Sequence, residues 1–536
     1  MSVNKEDLEL SFHRFLEDTK DDFFPDPLNY KDLKLKQAEI ISSIKSELDR
    51  ILGAHTVAYS PRHFLEGDTP KGHHVVRHTI TLHPLDRIVY LYIVTILAPL
   101  IEPSLSVAQY SHRLYGIKSK YIFGKRPIIQ WLSFRSGVEK YVNDNPSYKF
   151  IVSTDIAGYF EYIHIIDFKK QITGLLSIKT DKANKTIELL NQFLRCFSPS
   201  HHSSVPQGYN ASSYLASAFL NFLDKDLEAQ KIKHFRYVDD IRVPCKTFEE
   251  AQKNIIHIIH SLRKVNLNLS TIKTEIWEKD GEEFKRFCRK FPKVLDDADE
   301  AVNKRSKKAI DNILPILNNG AKKILKERRN GFDERLFRAY IWRIVKCHWF
   351  KNINKVDLGY IGKHCIKLMV DMPSRTDSFI RFLVLHKDRK YVQEAVEEVL
   401  TNSVYPWQKM RLWHLLIMVD KLKKDSLLPI ARSFVRDPLK SENSRNFALI
   451  FLGKHGDYSD RHYITTLYNP STNFFTKRCI LVAIQEYPDR NVLYNQILTT
   501  STELPLLSLI EYLRSLETPE YLDLDKRVGE DEAFIS

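Results

Sequence analysis

The stretch FRYVDDIRVP, residues 235–244, sets two aspartates side by side between two apolar runs. Adjacent carboxylates repel, and neighbouring side chains on a strand point to opposite faces. Asp239 and Asp240 are therefore poorly placed as decoration on one continuous strand. The pattern predicts a short strand over 235–238, a second over 241–244, and a tight hairpin between them, since Asp is a tolerated turn residue. Acids at a hairpin tip make sense if something positive sits between them.

Upstream, KFIVSTDIAGYFEYI, from Lys149, reads as an apolar strand ending at Asp155, with Ala157 and Gly158 breaking the pattern. YFEYIHIIDFKKQI then continues as an amphipathic helix. Asp155 thus lies at a strand end, where ligands gather in mixed sheets. If the two strands are neighbours, three carboxylates converge. Left alone, at least one would take up a proton. With two Mg²⁺ ions about 3.5–4 Å apart they become a cage of hard oxygen ligands suited to phosphoryl transfer, and Mn²⁺ would fit the same donors. Between the two motifs lies SVPQGYNASSYLASAFLNFLD, 204–224: a Pro-Gln-Gly turn, then a helix of small residues. Gly208 permits close backbone approach, and Gln207 offers both a donor and an acceptor.

The rest of the chain bounds these readings. With 536 residues it is too long for one ordinary core, so two or three domains are expected. Hydrophobic content of 43% and charged content of 28% describe a globular chain. A net charge of +14 suits a polyanionic partner such as nucleic acid, although charge alone fits an ordinary basic surface equally well. The six cysteines, at 196, 245, 288, 347, 365 and 479, form no CxxC pair, which fits a reducing compartment. Cys347-His348 and His364-Cys365 match no usual zinc spacing. The N-terminus MSVNKEDLELSFHRF has no signal-peptide core. The longest apolar run, Ile88–Ile101, is 14 residues, short for a membrane span and typical of a buried helix. A cytoplasmic protein is expected.

Three zones follow. Residues 1–145 mix charged helical patterns with that apolar helix, 146–295 alternate strand-like and helix-like segments, and 310–536 read almost entirely as helix. The charged stretch DDADEAVNKRSKK, 296–308, marks the expected boundary between the last two. In the last zone Arg381, Arg411, Arg445 and Arg478 each start an apolar helical run, at intervals of 30, 34 and 33 residues. A period near 33 suggests helical hairpins that stack on their neighbours, as in HEAT-like repeats.

Taken in order, Asp155 with Phe160, Pro206-Gln207-Gly208, Tyr237-Val238-Asp239-Asp240 and LNLSTIKTEI resemble the motif series of reverse transcriptases, across roughly residues 70 to 280. The resemblance implies an α+β fold, the fingers and palm of a right-hand polymerase, followed here by an all-α repeat-like domain. It implies Asp155, Asp239 and Asp240 as metal carboxylates, with the carbonyl of Ile156 as a further ligand. Phe160 takes the place of the gate that excludes a 2′-hydroxyl, which favours dNTPs. Gln207 and Gly208 resemble the strip under the incoming nucleotide, beside Tyr237. Lys273 resembles a lysine that protonates leaving pyrophosphate; a solvated loop lysine is the plain alternative. In VVRHTITLHPLDRIVYLYIV, Arg77 and Arg87 are candidates for the triphosphate, or ordinary ion-pair residues. SHRLYG, from Ser111, is similar to the SYGFR stretch of group II intron and retron enzymes. The histidines at 73, 74, 78 and 83 read as nucleic-acid contacts or surface rather than metal ligands.

No endonuclease, integrase or RNase H pattern follows residue 290. A palm followed by stacked helical hairpins looks like the abortive-infection (Abi) reverse transcriptases of bacterial phage defence. That resemblance implies DNA synthesis without a template, started from a tyrosine hydroxyl so that the DNA product stays joined to protein, and a homo-oligomer held by the helical domain. A templated RNA-directed DNA polymerase of a mobile element or retron-like system is the alternative, and a non-catalytic scaffold a third.

Overall fold

The computed structural model describes residues 2–523 apart from 20–21, 73, 115, 121–126, 199–204, 351–357, 421 and 423. Its centre is a four-stranded antiparallel sheet in the order β4-β5-β3-β6. These strands are β3 (Phe150–Thr154), β4 (Phe235–Tyr237), β5 (Asp240–Cys245) and β6 (Glu275–Glu278); β1 (Leu65–Lys71) and β2 (Val75–Thr81) form a separate hairpin. Register places Thr154 opposite Ile241, so the end of β3 lies beside the start of β5. The side-chain period of two divides the apolar residues between two cores. Val152, Ile241 and Val243 enter the main core, whereas Ile151 and Phe235 join Phe134, Val138, Val142, Phe284 and Phe287 in a smaller one. The Phe248–Arg263 helix covers the sheet on the first side and the Pro127–Asp144 helix on the second.

The apolar run at 88–101 belongs to a longer helix, Pro84–Ile101, which starts with Pro at its first turn. Two charged residues extend it because both are paired inside the protein: Asp86 with Tyr59 and Arg62, and Arg87 with Asp18 and Asp22. With the turn that follows, Pro84–Ser104 is long and apolar enough to cross a membrane, yet 83% of that window is buried within the protein. The predicted helix after Asp155 is split into Tyr159–Tyr162 and Ile165–Gly174 by extended backbone at Ile163 and His164.

In the last zone, helices Thr376–Leu383, Pro406–Ile417, Glu442–His455, Phe474–Ala483 and Leu504–Ser515 pack each on the next, and intervening helices lie against them. Gly453 lets two of these helices touch: a Cβ there would lie 2.0 Å from the Ala483 carbonyl oxygen. The four periodic arginines all fall in this row, but three to five residues inside each helix rather than at its start. The charged stretch expected as a boundary is also different. Residues Lys293–Asn303 form a helix whose Leu295, Ala298, Ala301 and Val302 are buried against the helices Lys307–Lys326 and Glu334–Phe350. Asp296, Asp297 and Glu300 are exposed, while Asp299 pairs with Arg343 (2.7 Å) and Lys346 (3.0 Å) of the second of these helices, so the segment is part of the helical domain.

That domain returns to the N-terminal region. Arg478 is buried between Asp26 (2.6 Å) and Asp32 (2.8 Å), Trp407 Nε1 donates to the Phe23 carbonyl (2.8 Å), and Arg411 donates to the Asp22 carbonyl (3.0 Å). Helices Pro406–Ile417 and Glu442–His455 also pack on β1. One continuous core therefore joins the two ends of the described chain.

Candidate active site

The YVDD segment is a two-residue hairpin in which Tyr237 pairs with Asp240 and Val238-Asp239 make the turn. Val238 has φ +55°, a left-handed conformation that a β-branched residue rarely adopts. Its surroundings hold it there. The Ser111 hydroxyl accepts from the Val238 N–H (2.7 Å), and Arg236 Nη1 donates to the Val238 carbonyl (2.9 Å). Arg236 is wholly buried and bidentate on Asp224, and also reaches Gln109 and Ser217. Burial would neutralise Asp224, but the Arg236 guanidinium and His234 outweigh that and hold its pKa at about 2. A charged residue between Phe235 and Tyr237 on a buried strand requires a buried partner. That alternation was the available signal for this pair; the partner's position twelve residues upstream was not.

The acids at the tip diverge. Asp240 shares a face of β5 with Arg242 and pairs with it at 3.2 Å, while the Arg242 guanidinium lies over the rings of Trp277 (4.9 Å) and Phe287 (5.2 Å). Asp239 instead meets Asp155, which follows β3. Burial, then the Asp155 and Asp240 charges, then the contact between the Asp239 and Asp155 carboxyls raise the Asp239 pKa well above the usual carboxylate range. Burial and Asp155 raise that of Asp240 too, against Arg242 and Lys273. Of the three carboxylates expected to converge, Asp155 and Asp239 are in contact, while Asp240 pairs with Arg242 and stays within range of the Asp155 and Lys273 charges. Among the described residues no three acids, histidines or cysteines form a ready metal-ligand group.

The pair itself fits a cation. Asp155 Oδ1 is buried without a hydrogen-bond partner among the described residues, and the Lys273 ammonium bonds Asp155 Oδ2 as a stand-in positive charge. Burial acts to lower the Lys273 pKa, but Asp155, with Asp239 and Asp240, overrides it and raises it. In this arrangement Lys273 is a counter-ion. Ile156 lies in a bridge to Leu269, and the Asp155 carbonyl accepts from Ser270 N–H at 2.7 Å, which ties the Lys273 turn to the strand end.

Phe160 is half-buried, its carbonyl accepting from Val205 N–H (3.0 Å) one residue before Pro206-Gln207-Gly208. Gln207 Oε1 is shielded from solvent with no hydrogen-bond partner among the described residues. Gly208 has φ +95°, and a Cβ there would come within 2.9 Å of the Phe23 ring. Tyr237 packs on Trp131 (5.2 Å between ring centres) and Phe134 rather than facing the carboxylates.

The two candidate arginines separate. Arg77, on β2, lies over the Phe23 ring (5.6 Å), close enough to feel the charges of Asp239 and Glu161. Arg87 is a correction. Its guanidinium is 3% exposed and pairs with both Asp18 and Asp22 at 2.7 Å, so it joins the first helix to the apolar one and offers no face to a triphosphate. His83 is corrected likewise: it is buried against Phe474, and its Nδ1 accepts from Leu85 N–H at the helix start. His78 lies 3.9 Å from Asp68, and His73 is outside the described residues. In SHRLYG, Ser111 supports the turn and Arg113 pairs with Glu102. Phe23 was not anticipated. It touches Gly208, lies beneath Arg77 and is held from the helical domain by Trp407.

Residues 69–286 match the reverse transcriptase (RNA-dependent DNA polymerase) family. No curated protein matches the chain. Among solved structures, it is similar to telomerase from Candida albicans in complex with a TWJ fragment of telomeric RNA, at 10% identity and a TM-score of 0.31, covering 70% of this chain and 68% of that one. It is also similar to apo telomerase from Candida tropicalis, at 11% identity and a TM-score of 0.32, covering 89% and 73%. The match to the reverse transcriptase family thus spans the sheet that brings Asp155 to Asp239 and ends before the helical domain.

Proposed function

We propose that the protein is a DNA polymerase that adds deoxynucleotides without a template from a protein hydroxyl, in abortive-infection defence against phage. The observation that carries the polymerase reading is the meeting of the Asp155 and Asp239 carboxyls where β3 ends beside the hairpin turn, with Asp155 Oδ1 buried and lacking a hydrogen-bond partner among the described residues. Asp155 and Asp239 would hold Mg²⁺, which lowers the pKa of an attacking hydroxyl and offsets the charge on the phosphates. Lys273 must then leave Asp155, which frees its ammonium to approach the departing pyrophosphate. Phe160 would pack on C2′ of the incoming sugar and leave no room for a hydroxyl. Gln207 Oε1 supplies an acceptor beside it, and Arg77 a guanidinium for the triphosphate.

The defence reading is supported by architecture: a palm followed directly by stacked helical hairpins. The same resemblance supports a cytoplasmic homo-oligomer. Purified protein with Mg²⁺ and labelled dNTPs, but no template or primer, tests it by denaturing electrophoresis before and after protease. Label that travels with the protein and is released by protease is the expected result. Extension only after RNA and a primer are supplied would replace this reading with a templated polymerase of a mobile element.

A further inference from the structure

The hairpin that carries Asp239 also leads into a buried cation. Arg242, the third residue of β5, lies opposite Ser153 of β3 and shares a face with Asp240, because side chains alternate along a strand. Its side chain is 7% exposed. The guanidinium lies over three rings from three elements: Trp277 of β6 (4.9 Å), Phe287 of the Glu282–Cys288 helix (5.2 Å) and Phe134 of the Pro127–Asp144 helix (5.9 Å). Trp277 is braced in turn, its Nε1 donating to Glu275 (2.7 Å). Arg242 Nη1 donates to the Ile241 carbonyl (2.9 Å) and to Asp240 Oδ1 (3.2 Å), and Nε is buried with no hydrogen-bond partner among the described residues. Among those residues Asp240 is the one carboxylate paired with this cation.

Two partners therefore compete for Asp240. It stays within range of Asp155 at the site where Asp155 meets Asp239, yet it also neutralises Arg242. Aromatic faces attract a guanidinium but do not cancel its charge. If Asp240 left Arg242 for a cation held by Asp155 and Asp239, a buried guanidinium would be stranded among three rings, and its charge would repel that cation. The Asp155 side carries no such penalty. Its counter-ion, Lys273, is 59% exposed on a turn, and water can take the ammonium when it moves away. Arg242 thus makes one carboxylate of the hairpin a costly ligand and leaves the other two available.

We propose that Arg242 is a positioning residue that withholds Asp240 from the first divalent cation, so that the protein without nucleotide takes a single ion, on Asp155 and Asp239. The proposal rests on the polymerase reading for what the carboxylates hold, but its test reads binding rather than synthesis. Full-length protein is titrated with Mn²⁺ in the absence of nucleotide, and the free ion is followed by electron paramagnetic resonance. The wild-type chain should bind one ion, and Asp239→Asn should weaken it by about tenfold or more. Arg242→Met releases Asp240 and removes a like charge, so it should tighten the ion by about tenfold or add a second one. Arg242→Lys, which keeps the charge, should bind as wild type does. Arg242→Met with Asp240→Asn removes both charges and should return to wild-type affinity within about threefold. If Asp240 were already a ligand, this double variant would lose binding as Asp239→Asn does, and the proposal would fall. Two ions on the wild-type chain would overturn it without any change at Arg242. One ion that is lost in Asp239→Asn but indifferent to Arg242→Met would remove the proposal and leave the polymerase reading standing. No ion on any of these proteins would overturn both.

Discussion

Arg236 offers the sharpest test of how the YVDD turn is held. Arg236→Met keeps the length of the side chain and removes the charge, leaving Asp224 buried with His234 as its remaining partner. Breaking a buried ion pair from one side typically costs about 3–5 kcal/mol. The Arg236 guanidinium, with His234, holds the Asp224 pKa at about 2 against its burial, which agrees in direction. That loss lies well above that of one ordinary hydrogen bond, about 1 kcal/mol. Hydrogen exchange followed by mass spectrometry on peptides spanning 224–245 reads the local opening free energy. Arg236→Met should lower it by about 3 kcal/mol, and adding Asp224→Leu should recover most of that, because no charge is then stranded. DNA synthesis should stay impaired in the double variant, since the Val238 carbonyl is still without its donor and the strained turn without its support. Because the folded pKa of Asp224 lies below its unfolded value, the stabilisation is fully present above about pH 4 and is lost as pH falls through about 2. Equal instability of the single and double variants would refute the argument that a stranded charge dominates. So would wild-type activity in the double variant.

Asp239→Asn with Asp240→Asn should abolish nucleotide incorporation without loss of fold, checked by circular dichroism; residual synthesis would move the chemistry elsewhere. Phe160→Ala should admit ribonucleotides, read as the ratio of rATP to dATP incorporation, and an unchanged ratio would remove the gate role. Gly208→Ala should destabilise the protein by about 1–3 kcal/mol through its φ of +95° and the nearby Phe23 ring; Phe23→Ala in the same chain should recover only the part due to the ring. Arg478→Met strands Asp26 and Asp32 together, with an expected loss of about 3–5 kcal/mol and faster proteolysis between the N-terminal region and the helical domain.

Local chemistry was enough to place a great deal. A strand ending at Asp155, a hairpin tipped by Asp239, a Gly208 turn before a helix of small residues and a run of helical hairpins near period 33 are all set by residues adjacent in sequence. Side-chain alternation, turn preference and helical periodicity act over a few positions, and a single chain displays them directly. The periodic arginines show where such reading stops. Their spacing located the stacked row, yet Arg478 is buried on Asp26 and Asp32, more than 440 residues away, which no local pattern encodes.

Tertiary packing decided the rest. Whether an arginine meets solvent or a carboxylate depends on what folds over it, so Arg77 and Arg87, ten residues apart, part company: one lies over the Phe23 ring within range of the Asp239 charge and the other is sealed between Asp18 and Asp22. The divergence of Asp239 and Asp240 follows from register, because Asp240 is the first paired residue of β5 and shares its face with Arg242. The charged helix at 293–303 is amphipathic, and only its packing shows that the buried third outweighs the solvated acids. Phe23 owes its place against Gly208 and Arg77 to the return of the helical domain onto the N-terminal region. Sequence carries the chemistry of each group. Long-range burial determines which groups meet, because the energy of a buried charge depends on partners that only the folded chain supplies.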